Sequence, residues 1–70
     1  MKIIFTLHAE IQIKRRKLRK EEIIEAVERP ENTKKKDDKY YADKKLERGR
    51  IEVVYQREKS FIMIITIYWI

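Results

Sequence analysis

The closing run "FIMIITIYWI" carries no charged side chain, no glycine and no proline, and it constrains the fold more than any other part of the chain. A membrane-crossing helix needs about 20 apolar residues, so this run is too short to span a bilayer. Its β-branched and aromatic content predicts a strand over Phe61 to Trp69. A strand that is apolar on both faces lies in the middle of a sheet, or has a partner over its second side. Simple alternation puts Phe61, Met63, Ile65, Ile67 and Trp69 on the core face and Ile62, Ile64, Thr66 and Tyr68 on the other. That second face either meets helices or is covered by a partner.

The rest of the chain supplies the neighbours this strand needs. "KIIFTL" at residues 2–7 reads as a first strand, with Ile3, Phe5 and Leu7 on one face. From His8 to Lys17 the pattern turns helical, and Ala9 and Ile13, four apart, point to the core. His8, Gln12 and Arg16 form a second line at the same spacing. Leu18 is expected to pack at the corner before a second helix over residues 20–28, whose buried stripe is Ile23, Ile24 and Val27 with Ala26 beside it. Glu21 and Glu22 favour the positive end of that helix. Pro30 stops it, because a residue before proline avoids the helical region. "ENTKKKDDK" reads as an exposed polar connector whose Asp37–Asp38 pair is solvated. "YYADKKL" reads as a charged edge strand. "ERGR" makes a turn around Gly49, and "RIEVVYQR" alternates with Ile51, Val53 and Tyr55 on one face.

The predicted order is β-α-α-β-β-β, an α+β fold over residues 1–70 as a single domain, with two N-terminal helices on one face of a mostly antiparallel sheet. The last three strands should form a meander, which the first strand joins. A chain of 70 residues buries only about 60% of its unfolded surface, and with no cysteine it has no disulfide to help. Charged residues make up 43%, a composition of the heat-adapted kind that uses surface ion pairs. The net charge of +6 suits a partner rich in phosphate or carboxylate. No leader segment is recognisable, and cytoplasmic residence without a membrane partner is the expectation.

Several chemistries can be set aside. One glycine cannot build a phosphate-cradling loop. The sole serine, Ser60, falls in a turn, away from any base. One histidine without cysteine makes no metal cluster, so neither metal nor cofactor is expected.

"HAEIQIKRRKLRKEEIIEAVERPE", followed by "GRIEVVYQ" and "IITIYW", resembles a small family known as a domain of unknown function, and through it the RelE/ParE and BrnT-type toxins. His8, Ala9, Arg16, Leu18, Pro30, Val53, Val54, Thr66 and Tyr68 carry the likeness. Gln12 stands where the family has its first arginine, and Lys17 where it has glycine. The resemblance covers nearly the whole chain. It implies a RelE-like fold, an antitoxin partner and action on RNA or the ribosome; several such toxins are ribonucleases that need no metal.

Metal-free RNA cleavage needs a base for the 2′-hydroxyl, an acid for the leaving oxygen and cations for the charged transition state. On that reading the catalytic candidates are His8, Arg16, Arg50 and Tyr68. Six of the seven residues from Lys14 to Lys20 are basic. Lys14, Arg15, Lys17, Arg19, Lys20 and Arg57 are therefore the candidate nucleic-acid contacts. The same lysines and arginines also fit a solvated helix face paired with Glu21, Glu22 and Glu25, and His8 also fits a capping or packing role. The competing expectation is a non-catalytic interaction module, a homodimer formed through the last strand or a protein or nucleic-acid binder.

Overall fold

The computed structural model describes residues 2–70. In chain order the elements are β1 (Lys2–Phe5), α1 (Leu7–Arg15), α2 (Lys20–Glu28), β2 (Asn32–Lys36), β3 (Lys39–Leu46), β4 (Gly49–Arg57) and β5 (Phe61–Trp69). They form an α+β fold with one five-stranded mixed sheet in the order β1-β5-β4-β3-β2. β1 runs parallel to β5, and the remaining neighbours are antiparallel. β5 is thus interior to the sheet, as its two apolar faces require. An edge-to-edge dimer through β5 has no free edge along residues 62–64, where β1 lies on one side and β4 on the other.

One strand more is present than the sequence pattern predicts. The polar connector contains β2, whose five residues, "NTKKK", are all exposed. With no apolar side chain it shows no period, and it becomes a strand because β3 offers it a backbone edge. Asp37 and Asp38 make the two-residue turn between them, with Asp37 in the left-handed region at φ 58°. The lysines on this outer strand discourage pairing with another chain.

Thr6 ends β1 two residues earlier than expected and places Leu7 in α1, where it is exposed. Its backbone N–H donates to the Ile64 carbonyl (3.1 Å), its hydroxyl donates to the Ile65 carbonyl (3.3 Å) and accepts from the Ala9 N–H (3.1 Å). α1 therefore starts pinned against β5. It closes with Lys17 at φ 56°, while the Leu18 N–H donates back to the Ile13 carbonyl (2.8 Å) and Leu18 is buried. This is a left-handed helix terminus of the kind glycine favours, which gives Lys17 a strained backbone. α2 has Arg19 at its N-cap, a poor capping residue, and Glu22 compensates by accepting from the Arg19 N–H (2.9 Å).

Ala9 and Ile13 of α1 and Ile23, Ala26 and Val27 of α2 meet Ala42, Ile51, Val53, Tyr55, Ile64 and Ile67 in one core. Ile24, expected in that stripe, is only half-buried. Ile23, Ile51, Ile64 and Ile67 have no exposed surface, and burying each stabilises the fold by roughly 1.5–3 kcal/mol. Ile64 and Ile67 cannot share a face under simple alternation. The register shifts between Val54/Tyr55, which pair with Thr66 and Ile64, so Ile65 is an unpaired extra residue, a β-bulge. The predicted faces of β5 are corrected accordingly. Ile62, Ile64, Ile67 and Trp69 turn to the core, and Met63, Thr66 and Tyr68 turn away from it.

Candidate functional site

Both helices pack into the core on one side of the sheet, and the first turn of α1 reaches the other side with His8. Register lays out the residues of this other, open face in cross-strand rows. Lys34 pairs with Tyr41, Tyr41 with Val54, and Val54 with Thr66. The Thr66 hydroxyl lies 3.2 Å from His8 Nε2, which extends this row to α1. The next row is Asn32, Asp43, Glu52 and Tyr68. Thr66 and Tyr68 are two apart on the strand, so the two rows are adjacent. His8 is exposed, and Tyr41, Thr66, Glu52 and Tyr68 are half-buried.

The electrostatics of this face are polarised. Tyr68 donates its hydroxyl proton to Glu52. That bond, then burial, then the charge of Glu52 and the proximity of Tyr41, push the Tyr68 hydroxyl up to about 12. Arg50 Nη1 lies 2.8 Å from Glu31 and 2.7 Å from Asp43. The Glu31 hydrogen bond leads in holding the Arg50 proton more firmly than usual, with burial opposing and Asp43 adding to it.

The four catalytic candidates divide. His8, Tyr68 and Arg50 share the open face, but Arg50 is committed to two carboxylates. Arg16 caps the end of α1, eight residues and about 12 Å along the axis from His8, and its Nε is buried with no hydrogen-bond partner. Glu52 and Thr66 are the partners that sequence reasoning missed. Finding them needed the β4–β5 register, which the bulge hides.

The nucleic-acid candidates do not form one patch. Lys14 and Arg15 are exposed in the last turn of α1, and Lys17 follows it. Arg19 pairs with Glu22 (3.9 Å); Lys20 pairs with Glu10 (3.4 Å) and lies over the Phe5 ring. These two fit the solvated ion-pair reading. Arg57 is at the other end of the sheet, opposite Ile62 and beside the Tyr40 ring on the helix side. Tyr40 stacks on Tyr55, whose hydroxyl is pushed up by burial, with Arg57 opposing and Tyr40 adding to it.

A groove of about 650 Å³ lies between α2 and the β3–β4 turn, remote from His8. It is crossed by Arg48–Glu22 (2.7 Å) and Lys44–Glu25 (3.7 Å). Five of its nine charged lining residues are held in ion pairs, and neither the histidine nor a tyrosine lines it, so the open face is the better candidate. Among the described residues, no cluster of three His, Cys, Asp or Glu side chains could hold a metal ion. No helix among them is long and apolar enough to cross a membrane.

Residues 5–69 match the family described as a domain of unknown function, DUF4258. No curated protein and no solved structure matches the chain.

Proposed function

The chain belongs to the DUF4258 family, and we propose that this member is a RelE-like toxin domain of a toxin–antitoxin system, cytoplasmic, acting on RNA as a metal-independent endoribonuclease. The observation that carries the reading is the adjacency on the open face of His8 against Thr66 and of Tyr68 against Glu52. The β1-α1-α2 start followed by an antiparallel meander is compatible with the toxin resemblance, as is the position of these groups on the sheet and beside the first helix.

In this reading His8 takes the proton of the ribose 2′-hydroxyl. The 2′-oxygen bonds to phosphorus, and the bond to the 5′-oxygen breaks. Tyr68 gives the leaving oxygen its proton, leaving a 2′,3′-cyclic phosphate and a 5′-hydroxyl. The bond to Glu52 holds that proton through the neutral range and has to break for the transfer. The cation for the phosphate is Arg50, which shares this face and would first have to leave Glu31 and Asp43, since Arg16 lies about 12 Å along α1 from His8. An antitoxin would cover the apolar side chains that α1 exposes, Leu7 and Ile11.

The test is RNA cleavage in chelator, on free RNA and on translating ribosomes, by the protein and by His8→Ala. Cleavage that falls at least about tenfold in the variant is the expected result. No cleavage of either substrate by the unsubstituted protein overturns the enzyme reading. The commitment of Arg50 to two carboxylates favours a second reading, in which the same face binds RNA or a protein without cleaving it.

A further inference from the structure

We propose that single-stranded RNA lies across the strands of the open face, from His8 beside β5 to Lys34, Lys36 and Lys39 at the β2 edge. The inference rests on the RNA reading above and names the path its substrate takes.

The row Lys34–Tyr41–Val54–Thr66–His8 crosses four strands and ends on α1. At about 4.8 Å between neighbouring strands, the three spacings from β2 to β5 cover roughly 14 Å, with His8 beyond them, enough for a few nucleotides of single strand. Tyr41 stands in the middle of the row. Its strand neighbours Tyr40 and Ala42 face the core, and its proximity to Tyr68 places it on the open face. A half-exposed tyrosine there is a surface on which a base can stack.

Cations collect at the far end. Lys34 and Lys36 alternate onto the open face, and Lys39 pairs with Lys36 in register. None of the three makes an ion pair among the described residues, whereas Arg19, Lys20, Lys44, Arg48 and Arg50 all do. Lys35 points the other way, its ammonium 5.5 Å from the Tyr40 ring on the helix side. Edge lysines that only discourage pairing need no particular face. Lysines that bind a strand on one face do.

The strand's own alternation makes the test. Lys34→Glu, Lys35→Glu and Lys36→Glu change the net charge equally, at exposed positions where folding should survive; thermal melting verifies that. Binding of a fluorescent single-stranded RNA oligomer is measured by anisotropy in chelator at low salt, with His8→Ala as background to prevent cleavage. Lys34→Glu and Lys36→Glu should each weaken binding about fivefold, and Lys35→Glu by less than about twofold. Tyr41→Leu should weaken RNA binding without changing the binding of a polyanion that lacks bases. Equal losses for all three lysines overturn the path, since they would reflect overall charge. Cleavage by the unsubstituted protein with equal lysine effects overturns the path alone. No RNA binding at all overturns both the path and the RNA reading.

Discussion

Replacing Glu52 with Gln removes the anion that holds the Tyr68 proton. In the folded protein the tyrosine hydroxyl is pushed from 10.0 up to about 12, first by the Glu52 hydrogen bond, then by burial, then by charge. A two-unit rise corresponds to at most about 2.7 kcal/mol; because Tyr68 is partly exposed, solvent screening reduces this to about 1 kcal/mol. The native state holds the proton more tightly than the unfolded chain. The stabilisation is therefore complete below pH 10.0 and is lost as pH rises to about 12. Glu52→Gln should cost about 1 kcal/mol at neutral pH, or a Tm roughly 4–8 °C lower. The difference from the unsubstituted protein should close across that alkaline window, as tyrosinate absorbance moves its latest transition down toward pH 10.0. Tyr68→Phe, which removes that transition, assigns it. A stability difference unchanged through pH 12, or a tyrosinate curve identical in Glu52→Gln, would refute the argument.

Other perturbations test the frame that carries the site. Lys17→Gly relieves a backbone held at φ 56° and should raise stability by about 0.5–1 kcal/mol in denaturant melts. Gly49→Ala should cost at least about 1–3 kcal/mol by the same assay, since φ is +144° and a Cβ would meet the Trp69 ring at 3.3 Å. Burial raises the Glu22 carboxyl, but hydrogen bonds from Arg48 and the Arg19 backbone, with both charges, outweigh it and hold the carboxyl below its ordinary 4.5. This contribution is present above pH 4.5 and lost as pH falls through the lowered value. Arg48→Ala should therefore melt lower at pH 7 and approach the unsubstituted protein in acid.

The frame was legible where burial imposed a period. α2 falls on the expected residues 20–28, and Ala9, Ile13, Ile23 and Val27 are buried as their spacing required. β2 was illegible because "NTKKK" buries nothing, and its pairing is a property of β3's backbone. The faces of β5 were misread because the bulge at Ile65 leaves no mark in a run that is apolar throughout. The site inherits both limits. His8 and Tyr68 were visible as chemistry, but Glu52 and Thr66 acquire meaning only from the register across the bulge. The basic run after Lys14 looked like one patch; α1's terminus and the ion pairs of Arg19 and Lys20 divide it.

The most direct measurement of the account is an NMR titration of the labelled protein with a single-stranded RNA whose 2′-hydroxyls are methylated to block cleavage. The open-face reading predicts perturbations centred on His8, Tyr41, Glu52, Thr66 and Tyr68, reaching Lys34 at the edge. Perturbations confined to α2 and the groove beside the β3–β4 turn, with the open face silent, would contradict it.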